Sequence, residues 1–125
     1  MGLDSYLQIR PTNKKMKILC KIQGKDNEEL AYWRKSYMLH EKFLSYAKEE
    51  NGGDLNCQPI PITKEELIEI LSWVKNCLLD NKDGAYTEED GYNVDEDLKL
   101  AKKTITKALK ETDFNNYEIY YYAWW

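Results

Sequence analysis

This chain is poor in the residues that usually announce chemistry. It holds one histidine, three cysteines, three prolines and six glycines in 125 residues. The cysteines, Cys20, Cys57 and Cys77, are odd in number and lack metal-ligand spacing, so reduced thiols are expected. GxSxG, HExxH, the Gly-rich phosphate loop, the dinucleotide fingerprint and CxxC are all missing. No catalytic residue, metal site or cofactor is therefore assigned. No apolar run reaches the roughly 18 residues of a transmembrane helix. The opening MGLDSYLQIR has no basic stretch leading into an apolar one, which argues against a secretory signal, and Tyr6 stands where myristoylation needs Ser or Thr. A cytoplasmic protein without a membrane partner is expected. A basic excess is lacking too: 18 basic residues face 22 acidic ones, for a net charge of −4, which argues against a protein that coats nucleic acid.

What the chain has is aromatics, with ten Tyr and four Trp. Its length suits a single domain, 1–125. Leu3, Ser5, Leu7 and Ile9 alternate with Asp4, Tyr6, Gln8 and Arg10, which predicts a half-buried strand. Met16, Ile18, Cys20 and Ile22 alternate in the same way with their neighbours, so a second strand and an N-terminal hairpin are expected. Pro59 and Pro61 hold Gln58 and Ile60 extended. Thr63 and Glu66 form a capping box, with Ile62 and Leu67 as its hydrophobic staple. They open a helix that buries Leu67, Ile70, Leu71, Val74, Cys77 and Leu78. Asn93 caps a further helix with Val94, Leu98, Ala101, Ile105, Ala108 and Leu109 on one stripe. The closing YEIYYYAWW reads as a strand that is apolar on both faces, hence central, and paired with the N-terminal strand.

Between these elements, Asp26–Gly52 predicts one long helix. Asp26 and Glu29 have capping-box spacing. Leu30, Trp33, Tyr37, His40, Leu44 and Ala47 recur at three- and four-residue steps, and glycines end the run. The fold class that follows is α+β: a small antiparallel sheet, built from the N-terminal hairpin and the C-terminal strand, covered by three helices.

Two surfaces are candidates for function. On the long helix, Trp33, Arg34, Tyr37 and His40 set polar tips among apolar neighbours. Arg34, at the margin of the stripe, is expected to meet an aromatic ring or a carboxylate of another element. On the tail, Tyr120, Tyr122 and Trp124 offer rigid contact surface. The acidic stretch Asp80–Asn93 does not make a calcium loop: with Gly84 at the fixed glycine, the first ligand position falls on Leu79.

The opening MGLDSYL, the run ELAYWRK…LH at Glu29–His40 and the closing YEIYYYAWW together resemble a family of small bacteriophage and prophage proteins. Those proteins open with MGLD-x-YL, carry a YWRK-type helix and end in an aromatic strand. The resemblance brings no established activity and no catalytic residues. It implies an accessory protein in a bacterial cytoplasm, of a kind that counters host defences by binding a host protein or a small signalling nucleotide. A non-enzymatic binding module is the function expected. The alternative is a small enzyme acting through His40 with a nearby acid or cysteine, and the surroundings of His40 discriminate between the two.

Overall fold

The computed structural model describes residues 2–22, 28–48, 55–80 and 94–125, with no side-chain detail at 16 and 19–21. The element order is β1 (Asp4–Pro11), α1 (Lys14–Ile22), β2 (Glu28–Arg34), α2 (Tyr37–Leu44), β3 (Ile60–Ile62), α3 (Lys64–Asp80), α4 (Val94–Glu111) and β4 (Tyr117–Trp124). The strands form one antiparallel sheet in the order β2-β1-β4-β3. The α+β class and the N- and C-terminal origin of the sheet are as the sequence predicts.

β1 and β4 run side by side in unbroken register from Asp4 opposite Trp124 to Pro11 opposite Tyr117. β4 is thus central, as its doubly apolar pattern requires. Alternation then gives the sheet two faces. Leu3, Ser5 and Leu7 point inward with Ala31 and Trp33 of β2, Ile119, Tyr121 and Ala123 of β4, and Ile60 and Ile62 of β3, and all are buried. Against them pack Leu39 and Phe43 of α2, Leu67, Ile70 and Val74 of α3, and Leu98, Ala101 and Ile105 of α4. Three helices therefore cover the inner face.

The start of α3 follows its sequence signal. The Thr63 N–H donates to the Glu66 carboxylate at 2.9 Å, and the Glu66 N–H donates to the Thr63 hydroxyl at 3.1 Å. Ile62 and Leu67 are both buried. β3 is short because Pro61 withholds an N–H, which suits an edge strand. The predicted cap Asn93, the helix ends at Asp26 and Gly52, and the stretch around Gly84 lie outside the described residues.

Two predicted elements are corrected. The long helix does not exist as one piece: its first part is strand β2, and a helix begins only at Tyr37. Within β2 the exposure alternates, with Ala31 and Trp33 in and Tyr32 and Arg34 out. Tyr32 and Trp33 favour strand, and β1 offers an edge to pair with. At Lys35 the backbone turns to φ 54, and its N–H donates to the Leu3 carbonyl at 2.7 Å, which separates strand from helix. The helical spacing of Leu30, Trp33 and Tyr37 is a coincidence that a non-local pairing overrides.

Similarly, the second strand expected at Met16–Gln23 is helix α1. Its lysines are good helix formers, and the Lys17 N–H closes the first turn on the Asn13 carbonyl. With one edge of β1 taken by β2 and the other by β4, no place remains for that strand. The hairpin partner of β1 is β2, and Ile18 and Ile22, expected in the core, are exposed.

A core built this way separates fully buried from exposed positions by residue. Leu98→Ala, at a side chain with 0% exposure, is expected to lower the unfolding free energy by about 3 kcal/mol in urea denaturation. Ile68→Ala, at 51% exposure, should change it by less than about 0.5 kcal/mol.

Candidate functional site on the outer sheet face

The sheet's second face is lined by alternate residues of the same strands. The register sets Tyr32, Tyr6 and Tyr122 in one row across β2, β1 and β4, with Arg34, Asp4 and Trp124 in the next. Below them come Gln8 beside Tyr120, then Arg10 beside Glu118. The Tyr6 ring lies 5.1 Å from that of Tyr32 and 6.5 Å from that of Tyr122, both tilted. Tyr6, Gln8, Arg10, Pro59, Tyr120, Tyr122 and Trp124 together border an open hollow of about 410 Å³.

Hydrogen bonds fix parts of this surface. Arg10 Nε donates to Glu118, and its guanidinium lies 4.5 Å from the Tyr120 ring centre. Tyr120 is buried beneath it. Tyr32 donates its hydroxyl to Asp4, and that bond, with partial desolvation, raises the phenol pKa to about 12. Contact with Cys57 and desolvation likewise raise Tyr122. These phenols stay protonated and neutral at physiological pH. At the rim, Asn56 clasps the backbone of Trp125 by two 3.0 Å bonds, and the Cys57 N–H donates to the Ala123 carbonyl at 2.9 Å. Cys57 takes a φ of 61 to do so.

The residues singled out from the sequence fall in different places. Tyr120, Tyr122 and Trp124 meet on the outer face. Arg34 shares that face but stands exposed at the end of β2 opposite Asp4. The ring or carboxylate contact expected of it is not found among the described residues. Trp33 is on the other side of the sheet, 2% exposed, with its indole N–H donating to the Asp97 carbonyl at 3.1 Å. Tyr37 opens α2, half exposed and away from the hollow.

His40 is buried in the core. Its Nδ1 is 2.7 Å from the Tyr121 hydroxyl, and its ring meets Trp125 edge-on at 4.7 Å. In the tautomer that carries its proton on Nε2, Nδ1 accepts from the Tyr121 hydroxyl. Tyr121 in turn stacks on Phe43 at 4.5 Å, and the buried Ser5 hydroxyl donates to the Trp33 carbonyl at 3.5 Å. No acid or thiol is hydrogen-bonded to His40 among the described residues. A metal centre has no residues to build on there either: no group of three or more His, Cys, Asp or Glu converges among them. Cys57 is exposed and Cys77 buried, both as free thiols, and burial pushes the Cys77 thiol up.

Sequence reasoning missed Tyr6, Gln8, Arg10 and Tyr32. The signal for the first three was present in the alternation of β1, which sets Asp4, Tyr6, Gln8 and Arg10 on one side. It gains meaning only once β1 is laid against the aromatic tail. Tyr32 was hidden by the helical reading of its stretch. A second hollow of about 580 Å³ lies between α4 and the far end of the sheet, with Ile9, Leu30, Glu28, Glu29, Lys103 and Lys107 among the residues that line it. No residue singled out from the sequence borders it.

Burial lowers the His40 pKa from its ordinary 6.5, opposed by the nearby Glu41 charge. The unfolded chain thus binds this proton more tightly than the folded one. The group's contribution to stability is complete above pH 6.5 and is lost as pH falls from there toward the lower folded value. His40→Asn keeps a short acceptor and does not titrate. In urea denaturations between about pH 5 and pH 8, wild-type stability relative to this variant should stay flat at high pH and decline below the ordinary histidine pKa. A pH-independent difference would show that His40 titrates alike in both states. Comparison with known proteins adds no relative to this geometry: no protein-family model matches the chain, and no curated protein or solved structure matches it either.

Proposed function

We propose that the protein is a non-enzymatic binding module whose contact surface is the outer face of the sheet. The observation that carries this reading is the gathering of Tyr6, Tyr32, Tyr122 and Trp124 on one face with a 410 Å³ hollow beside them. Tyrosines and tryptophans held on strands give large amphipathic contact area at low entropic cost. Trp124 is 46% and Tyr32 41% exposed, an arrangement that suits a surface completed by a partner. The placement of His40, buried and bonded to a phenol, supports a binding protein over an enzyme acting through that ring. The biological setting belongs to the same proposal. An accessory protein of bacteriophage or prophage origin in a bacterial cytoplasm would counter a host defence by sequestering a host protein or a signalling nucleotide.

The test is retention from a bacterial lysate, with captured proteins and heat-released small molecules both identified by mass spectrometry. The double variant Tyr122→Ser/Trp124→Ser should retain at least about tenfold less of whatever the wild type holds. Leu79→Ser, at an exposed position on α3, should retain it in full. Circular dichroism checks that both variants fold. Undiminished retention by the double variant would remove the outer face as the site.

A further inference from the structure

Resting on the outer face as the binding surface, we infer that its hollow takes a small nucleoside phosphate: one base stacked on the aromatic rings, with its phosphate at Arg10. Three observations lead there.

The first is the balance of hydrogen-bonding groups. Of the carboxylates beside these residues, Asp4 accepts from Tyr32 and Glu118 from Arg10. The donors are less satisfied. The Gln8 amide, the Tyr6 hydroxyl and the Trp124 indole N–H have no partner among the described residues, and Arg10 engages Glu118 through Nε alone. A face with donors to spare selects a ligand rich in acceptors, and a phosphate is the densest such group. The bond from Nε to Glu118 and the packing on Tyr120 also hold the guanidinium still, so little order is lost when its terminal nitrogens meet an anion.

The second observation is the rings. Trp124 and Tyr122 stand on one strand and Tyr6 on its neighbour, all exposed or half-buried. Bases stack on such rings whatever their identity. Gln8, between Tyr6 and Arg10 on β1, carries the paired donor and acceptor that match a base edge.

The third is size and charge. About 410 Å³ is room for a compound of one base, one sugar and a phosphate. A nucleic-acid strand needs a continuous basic track. This chain carries 18 basic residues against 22 acidic ones, and on this face Arg10 and Arg34 stand beside Asp4 and Glu118. A single phosphate at a single arginine fits that balance, and a polyanion does not.

Isothermal titration of the purified protein with AMP and with adenosine tests the inference. AMP should bind at least about tenfold more tightly than adenosine, because only it offers the phosphate to Arg10. Arg10→Gln should bring AMP down to the level of adenosine. Arg10→Lys keeps the charge beside Glu118 but loses the fork, and should recover only part of the gap. Tyr122→Ser/Trp124→Ser should weaken both ligands together. Equal binding of AMP and adenosine, binding that survives the double variant, or no binding of AMP, GMP, CMP and UMP at about millimolar concentration would each overturn it. A proline-rich peptide that binds this face in place of every nucleotide overturns it as well. In that case, lysate retention that still depends on Tyr122 and Trp124 leaves the binding-module reading standing, whereas loss of that dependence removes both.

Discussion

The pairing of β1 with β4 is the constraint on which the rest of this fold depends. Eight consecutive residue pairs are matched without a bulge, and both strands are interior to the sheet. That ladder decides which side chains face the helices and which face away. A slip of one residue would turn over the strand that moved, sending Leu7 outward and Arg10 into the core if it were β1, or Tyr121 outward and Tyr122 inward if it were β4. The same register places Gln8 beside Tyr120 and Arg10 beside Glu118. Pairing and site are therefore one arrangement, and hydrogen bonds at the end of the ladder guard it. The Asn13 side chain donates to Asn116 at 2.6 Å, and the Thr12 N–H donates to the Asn116 carbonyl at 2.9 Å.

The inner face carries a polar element that its surroundings explain. Tyr121 is fully buried between Phe43 and His40, and a buried hydroxyl needs a partner. His40 supplies one, while the Ser5 hydroxyl donates to the Trp33 carbonyl at 3.5 Å. His40 and Tyr121 come from α2 and β4, so this bond ties a helix to a central strand. Replacing one of the pair alone leaves the other unsatisfied in a low-dielectric interior, which is costlier than never having placed them there.

Legibility in the sequence followed the range of the interactions. α3 and α4 were readable because every cue for them is local: the Thr63/Glu66 box, the staple, and stripes such as Leu98, Ala101 and Ile105. β1 and β4 were readable because alternation and strand propensity agree over eight residues. The stretch around Trp33 was not, since Leu30, Trp33, Tyr37 and His40 satisfy a helical spacing as well as the strand and helix that form. What decides there is a backbone edge supplied by β1, more than twenty residues earlier in sequence, as the Tyr32–Asp4 separation of 28 shows. The site inherited this pattern. Its tail residues were visible as an aromatic excess, while Tyr6, Gln8 and Arg10 read as the ordinary polar side of a strand until the two strands were joined.

The union of the two ends of the chain also governs how the protein reaches this state. Arg10 and Glu118 are 108 positions apart, and most of the sheet's central ladder has comparable separation. Little of that ladder can form early, because closing so long a loop gives up chain entropy before any contact returns it. Helices α3 and α4 can fluctuate into place with local contacts, but the two faces of the sheet do not exist until the ends meet. Mixed topologies of this kind fold more slowly than helical bundles, which take about microseconds to milliseconds. During that interval the aromatic strand Tyr117–Trp124 is an unpaired apolar segment, which makes it the part of the chain most exposed to intermolecular pairing.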